Sequence, residues 1–154
     1  MTGGAALFSW PVRVYYENTD AGGVVYHSNY VTFMERARTE FLRSLGVELG
    51  ALERDERVLF AVRSMAIDFR SPARLDDLLD VTVDIKDARP ASLTFLQSVR
   101  RDGRVLCEGE VRVASISADH FKPVAIPPKL VELLAWFLLK SCLEGLLIEA
   151  TLGR

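Results

Sequence analysis

The sequence has few residues of the kinds that bind metals or form disulfides. It contains only two histidines and two cysteines, with no His-x-x-x-His pair and no Cys-x-x-Cys pair. Zinc sites need several such ligands at short spacings, so we expect no metal site. Cys107 and Cys142 stand far apart in the chain, and we expect two unpaired thiols, as is usual in a reducing compartment.

Several motifs of nucleotide-binding proteins and hydrolases are also missing. The chain has neither a Gly-x-x-x-x-Gly-Lys-Ser/Thr loop nor a Gly-x-Gly-x-x-Gly loop, which excludes the usual phosphate-binding turns. It has no Gly-x-Ser-x-Gly elbow, so a serine hydrolase of the α/β type is unsupported. We therefore expect no cofactor.

The chain has neither an excess of positive charge nor a long apolar run. Nineteen basic and 21 acidic residues give a net charge of −2. Proteins that bind nucleic acid usually carry a basic patch, so no nucleic-acid partner is expected. The first ten residues do not have the pattern of a signal peptide. No stretch approaches the ~18 apolar residues of a membrane span, and we expect a cytoplasmic protein.

One segment predicts a long helix. From Tyr30 to Leu45 the apolar residues recur at helical spacing and form one stripe. The charged residues between them, Arg38 included, are expected on the opposite, polar side. Ser28 and Asn29 are candidates for the N-cap, and Gly46 is a natural stop after the last turn.

Strand patterns precede and follow this helix. Residues 10–15 alternate before it, and several alternating segments lie between Val58 and Ser117. Asp102-Gly103 predicts a tight hairpin turn, because both residues tolerate a positive φ. One helix packed on an antiparallel sheet is an α+β arrangement, and we assign it to a single domain at residues 1–128.

The tail, residues 129–154, predicts an amphipathic helix. Its apolar runs are interrupted by charged residues that argue against a membrane span: Glu132, Lys140, Glu144 and Glu149. We expect the helix to pack on the domain or on a partner subunit. Two alternatives remain open. The helix could lie flat on a membrane, although it has few of the Lys and Arg residues that such helices favour, or part of the tail could be disordered.

The loop before the long helix concentrates the reactive groups. Asp20 lies in the run Thr-Asp-Ala-Gly-Gly, and His27 follows seven residues later. Alone, a turn aspartate more often caps its own backbone, and a histidine at a helix start is often no more than a polar residue. Together with the N–H groups of a helix start, however, an ionised carboxylate could act as base or nucleophile beside an oxyanion site.

The same stretch carries a resemblance to a known family. Residues 15–30, YYENTDAGGVVYHSNY, and residues 35–40, ERARTE, resemble the hot-dog-fold acyl-CoA thioesterases of the YbgC type, relatives of the 4-hydroxybenzoyl-CoA thioesterases. Residues 71–77, SPARLDD, form a second point of resemblance. The resemblance implies a hot-dog fold, in which a curved antiparallel sheet wraps one long central helix. The C-terminal helix would be an addition to it.

The resemblance also implies an activity and a site. The family's catalytic aspartate falls on Asp20, as nucleophile or general base, and its backbone oxyanion donor falls on the N–H of His27. Gly23, Tyr26 and Asn29 are expected to bind substrate or hold the loop. The substrate would be an acyl-CoA with a short-chain or aromatic acyl group, hydrolysed to the free acid and CoA.

Other expectations concern partners and location. Members of this family form homodimers or homotetramers with active sites at subunit boundaries. Their association with the Tol-Pal system and phospholipid synthesis suggests acyl carrier protein as a partner and a place at the inner face of the inner membrane. Two features depart from the family pattern: Asn18 stands where a second acid is common, and the chain continues well past Pro128. A hot-dog hydratase or dehydratase and a non-enzymatic scaffold are the alternatives.

Overall fold

The computed structural model describes residues 8–153, which form five strands and three helices. A single 3₁₀ turn, Tyr16–Asn18, lies between the first strand and the first helix. The elements follow one another in this order: β1 (Phe8–Arg13), α1 (His27–Ser44), α2 (Leu49–Glu56), β2 (Val58–Phe69), β3 (Leu78–Arg89), β4 (Ser92–Arg101), β5 (Arg104–Ser117) and α3 (Pro128–Leu152).

The five strands make one antiparallel sheet in the order β1-β3-β4-β5-β2, so that β1 and β2 form its edges. Asp102 and Gly103, which join β4 to β5, have φ values of 51° and 78°. Positive φ at both central residues is the conformation that the Asp-Gly pair predicted for this hairpin. The predicted α+β fold, with one long helix against an antiparallel sheet, is confirmed.

The helix α1 buries its apolar stripe against the sheet, as the periodicity predicted. Phe33, Met34, Ala37 and Phe41 are all 0% exposed. Gly46 ends the helix with φ +83°, and its N–H donates to the Arg43 carbonyl at 2.9 Å. The left-handed conformation just after a helix favours glycine, which explains the stop at this point.

The predicted start of α1 was wrong by two to three residues. The helix begins at His27, and its N-cap is Tyr26 in an extended conformation, without a side-chain capping bond. Ser28 and Asn29 therefore lie inside the first turn and are not N-caps. Asn29 has another partner, since its Oδ1 accepts a hydrogen bond from Asn18 Nδ2 at 2.9 Å. A contact outside the helix thus replaces the expected local cap.

The prediction that Arg38 lies on the polar side of α1 was also wrong. Arg38 is 8% exposed, and its guanidinium donates to Gln97 Oε1 on β4 at 2.9 Å. Gln97 Nε2 in turn donates to the Met34 carbonyl at 3.0 Å. Burial lowers the pKa of Arg38, with Glu35 acting in the opposite direction. The neutral amide of Gln97 thus ties both the side chain and the backbone of α1 to the sheet.

The tail forms α3, and its first turns pack on the rest of the chain. Leu130 and Leu134 are buried in the core, and the Phe137 ring lies 5.5 Å from that of Phe41. Farther along, Leu139 and Leu143 are 63% and 54% exposed. Within residues 8–153, no helix combines the length and hydrophobicity needed to cross a membrane.

Both cysteines are free thiols, as expected. Cys107 is buried in β5, and Cys142 is exposed on α3. Burial raises the pKa of Cys107 to about 12, with Asp68 and Glu108 adding to the rise. Because the thiolate is the reactive form, burial and the raised pKa both disfavour reactions of Cys107 in the folded protein.

Gly109 allows α1 to approach β5 closely, which gives a test of the packing. A Cβ at this position would lie 2.8 Å from Met34 Sδ. We expect Gly109→Val to lower the free energy of unfolding in urea by about 1–3 kcal/mol through overpacking. Gly109→Ala should cost less, because the flexible Met34 side chain can move. Gly50→Ala in α2, with no atom within 4 Å of the new Cβ, is the control. Wild-type stability in Gly109→Val would contradict the model of α1 packing.

Candidate active site

The loop that carries Asp20 is a tight turn closed by backbone hydrogen bonds. The Asp20 N–H donates to the Val24 carbonyl at 2.9 Å, and the Gly23 N–H donates to the Asp20 carbonyl at 3.0 Å. Gly23 adopts φ +75°, a conformation that favours glycine. The Asp20 side chain is exposed, and its Oδ1 accepts from the Gly22 N–H at 2.8 Å. The turn thus presents a carboxylate to solvent on a defined backbone.

The loop leads directly into the first turn of α1. The Tyr26 N–H donates to the Asn18 carbonyl at 2.8 Å, and the Asn29 N–H donates to the Tyr26 carbonyl at 2.9 Å. In the part of the chain that the structure describes, the N–H groups of His27 and Ser28 donate to no protein acceptor. Free N–H groups at the positive end of a helix dipole make a site where a negatively charged oxygen can bind.

Asn18 joins the loop to the helix. Its side chain is 6% exposed; Oδ1 accepts from the Tyr15 N–H at 2.8 Å, and Nδ2 donates to Asn29 Oδ1 at 2.9 Å. With the bond from Tyr26 to its carbonyl, Asn18 holds both ends of the Asp20 turn. In the sequence, Asn18 stands out only as the replacement of an acid. Its partner Asn29 lies 11 residues away, and no local pattern indicated the contact.

A surface cleft opens beside the start of α1, with a volume of about 270 Å³. The Tyr30 and Phe69 rings meet edge to face there, with centroids 5.4 Å apart. The residues that line the cleft are Val25, His27, Tyr30, Phe69, Arg70, Ser71 and Pro72. The cleft is therefore an aromatic-walled recess that reaches the helix N-terminus.

The predicted site residues do not all meet in this cleft. In the described part of a single chain, His27 lines it, whereas Asp20, Gly23, Tyr26 and Asn29 are not among its lining residues. Tyr26 is 46% exposed, and its ring lies 4.2 Å from that of His27. Along the chain, the Asp20 carboxylate thus precedes Tyr26, and the start of α1 follows it.

Residues 71–77 form hydrogen bonds with the segment after the Asp20 loop and with α1. The Val25 N–H donates to the Ala73 carbonyl at 2.9 Å, and the Ala73 N–H donates to Tyr30 Oη at 3.0 Å. Burial raises the pKa of Tyr30, partly opposed by the bond from Ala73. From the sequence this segment was only a point of resemblance. The contacts show that it connects the loop to α1.

A second cavity, of about 140 Å³, lies farther along α1. It is mainly apolar, with Phe60, Leu93 and Phe95 among its lining residues, and Glu35 is its lining residue nearest to the helix start. Glu35 lies eight positions after His27, which is about 12 Å along a helix. The second cavity is therefore distinct from the cleft at the start of α1.

Among residues 8–153, no group of three or more His, Cys, Asp or Glu residues is arranged to hold a metal ion.

Comparison with known proteins gives consistent matches. The model of the thioesterase-like superfamily matches residues 14–137. The chain is 50% identical over 126 residues to "Acyl-CoA thioester hydrolase YbgC" of Escherichia coli O6:H1, covering 81% of this chain and 93% of the relative. It is 46% identical over 120 residues to "Acyl-CoA thioesterase YbgC" of Haemophilus influenzae, covering 78% and 88%. The crystal structure of a probable thioesterase from Bartonella henselae has a TM-score of 0.74 at 35% identity, covering 77% and 98%.

The role of Asn18 in holding the loop can be tested by stability. Asn18→Ala leaves the Tyr15 N–H and the Asn29 amide, which are partly buried, without their partner. We expect the free energy of unfolding to fall by about 1–2 kcal/mol, because partly buried polar groups are left unpaired. Thr19→Ala, which removes an exposed bond to the Tyr16 carbonyl, is the neighbouring control and should change little. Equal effects of the two substitutions would show that Asn18 does not hold the loop.

Proposed function

This chain belongs to the thioesterase-like superfamily, and we propose that it hydrolyses the thioester of an acyl-CoA to the free acid and CoA. The observation that carries the proposal is the exposed Asp20 carboxylate on a loop fixed to the start of α1. The names of the YbgC relatives, at 50% and 46% identity, support the same reaction.

We assign the oxyanion donor to the His27 N–H. The carbonyl oxygen of the thioester accepts this hydrogen bond, which strengthens as negative charge develops on the oxygen in the transition state. The positive end of the α1 dipole adds to the stabilisation. Loss of one such donor in other enzymes costs ~10²–10³ in rate. The backbone of His27, rather than its imidazole, is the group that acts.

Asp20 acts on the carbonyl carbon by one of two routes. As nucleophile it attacks the carbon, CoA leaves as the thiolate, and water hydrolyses the resulting mixed anhydride. As general base it removes a proton from a water molecule that attacks the same carbon, and the thiolate leaves in the same way. Single turnover in ¹⁸O-water distinguishes the routes, because only the nucleophilic route can place label in the Asp20 carboxylate.

The cleft beside α1 supports a short-chain or aromatic acyl group. Its volume of about 270 Å³ is small, since pockets for drug-sized ligands are typically about 300–1,000 Å³. Its Tyr30 and Phe69 rings meet edge to face, and Phe69 is 50% exposed, so a flat or short acyl group can pack against the Phe69 ring. A long alkyl chain would need space beyond this recess.

We further propose that the active protein is a homodimer or homotetramer with its sites at subunit boundaries. β2 is a 12-residue edge strand that pairs with β5 on one side. Its Val62 and Phe69 are each 50% exposed. A long, apolar edge strand is a ready site for pairing with a second copy. Asp20 does not line the cleft of its own chain. A neighbouring subunit could therefore supply the rest of the site around Asp20.

A non-enzymatic function is the second candidate, favoured by the exposed apolar side chains of α3. Trp136, Leu139 and Leu143 are 59%, 63% and 54% exposed. Such a surface could bind acyl carrier protein or a membrane-associated complex at the inner face of the inner membrane. A stable complex together with no turnover on any acyl-CoA would favour this candidate. Turnover of an enoyl-CoA by hydration would instead favour the hydratase alternative.

The main test of the thioesterase proposal is Asp20→Asn. The substitution keeps the size of the side chain and an oxygen that can accept from Gly22, so we expect a normally folded protein. It removes the nucleophile or base, and kcat on short acyl-CoAs should fall by at least about 100-fold, as for general acid–base groups elsewhere. Thiol release from acyl-CoA is the measurement.

The controls for Asp20→Asn separate chemistry from folding. His27→Ala keeps the backbone donor and should retain most of the activity. Circular dichroism and sedimentation should give the same fold and mass for wild type and both variants. Most of the wild-type rate remaining in Asp20→Asn would refute the assignment of this residue.

The acyl preference gives a separate prediction. In a kinetic scan from acetyl-CoA to palmitoyl-CoA, with benzoyl-CoA included, kcat/KM should be highest for short-chain or aromatic substrates. It should fall by at least about tenfold for palmitoyl-CoA, because the long chain does not fit the recess. Asp20→Asn supplies the background rate for each substrate. A maximum at palmitoyl-CoA would contradict the assignment of this cleft as the acyl site.

A further inference from the structure

The segment 71–77 touches two parts of the molecule that the proposed reaction uses, the Asp20 loop and α1. Ala73 bonds to Val25 in the catalytic loop and to Tyr30 on α1. Arg74, the next residue, forms an isolated β-bridge with Val24. Val24 lies four residues after Asp20, and Val25 lies two residues before His27. A shift of the 73–74 backbone would therefore be transmitted to the carboxylate and to the oxyanion donor.

A carboxylate at the end of the same segment fixes its conformation. Asp77 Oδ2 accepts from the Arg74 N–H at 2.8 Å and from Arg101 Nη1 at 2.6 Å. The Asp77 backbone is held as well, because its carbonyl accepts from the Val14 N–H at 2.9 Å. Asp77 thus closes the turn that begins at Arg74 and attaches it to β4 and to the end of β1.

The environment of Asp77 differs from that of the chain's surface ion pairs. The Asp77 and Arg101 side chains are 20% and 30% exposed, whereas those of Arg57 and Asp119 are 50% and 51% exposed. Burial disfavours the charged form of Asp77, but the Arg74 N–H and the Arg101 guanidinium outweigh it, and the pKa of Asp77 lies below its ordinary value. Asp77 is therefore ionised at neutral pH, and its carboxylate accepts from a backbone N–H as well as from a guanidinium.

We propose that Asp77, held by Arg101, is a positioning residue for the reaction. It fixes the Ala73–Arg74 backbone, which in turn sets the position of the Asp20 loop relative to the N-terminus of α1. Asp77 touches neither substrate nor reacting atoms in this role. The inference rests on the proposed thioesterase function for its kinetic consequence, whereas its structural consequence can be measured without any turnover.

The kinetic test is Asp77→Asn, which keeps the shape of the side chain and removes its charge. We expect kcat to fall about tenfold with KM changed less than about twofold, because small displacements of reacting groups cost rate rather than affinity. Arg101→Met should reproduce the loss, and Arg101→Lys, which retains a cation, should restore at least half of the rate. An unchanged kcat in both Asp77→Asn and Arg101→Met would overturn the proposal.

The structural test is amide hydrogen exchange. In Asp77→Asn we expect the Val25 and Tyr26 amides to exchange at least about fivefold faster, while amides in the centre of α1 keep their protection. Asp119→Asn, which breaks the exposed Arg57 pair, is the matched control and should change neither exchange nor kcat. Faster exchange throughout the protein would show a general loss of stability and contradict a positioning role.

The two tests also separate this inference from the proposed function. If wild type does not hydrolyse acyl-CoA, the thioesterase proposal fails, but the exchange at Val25 and Tyr26 still decides whether Asp77 positions the loop. If wild type is active and Asp20→Asn is not, normal kcat and normal exchange in Asp77→Asn would refute the positioning role alone.

Discussion

The burial of α1 against the sheet is the interaction on which the rest of the structure depends. Most of the stability of a helix in a folded protein comes from the packing of its apolar face rather than from helix propensity, and α1 has 18 residues to pack. Phe33 and Phe41 are fully buried against the sheet, and each large apolar side chain removed from water contributes roughly 1.5–3 kcal/mol. Gly109 leaves room for Met34 at the crossing point. The hydrogen bonds of Gln97 then fix the rotation of the helix, because they require particular faces of α1 to meet β4.

A fixed helix provides a fixed N-terminus for the candidate site. The chain enters α1 through Tyr26, whose extended backbone is held by Asn18. Asn18 and Asn29 are neutral, so the connection between loop and helix places no charge beside the helix start. The N–H groups of His27 and Ser28 have no protein acceptor among the described residues, so they and the helix dipole can act on a ligand oxygen. The site is therefore assembled from backbone groups whose positions are determined by the packing of the helix.

Local patterns in the sequence predicted the elements well. Each of these predictions depends on residues close together in the sequence. The stripe of α1 repeats every three or four residues, the stop at Gly46 follows the last of them, and the Asp102-Gly103 turn is two adjacent residues. The burial of Arg38 could not be predicted in this way, because its partner Gln97 is 59 residues away. A long charged side chain looks the same in sequence whether it faces solvent or a buried amide. The tail was predicted to be a helix, but the buried positions of Leu130 and Leu134 depend on a surface formed by the rest of the chain.

The start of α1 shows why the candidate site was harder to predict than the fold. Ser28 and Asn29 are residue types that favour the N-cap position, whereas nothing in the local sequence favours Tyr26. The Asn29 side chain instead accepts a hydrogen bond from Asn18. The buried Asn18 side chain thus donates to Asn29 and accepts from the Tyr15 N–H. An aspartate at position 18 could accept from Tyr15 and from a rotated Asn29 amide, but it would bury a negative charge two residues from Asp20. The amide makes the same connections without adding a like charge beside the candidate catalytic carboxylate.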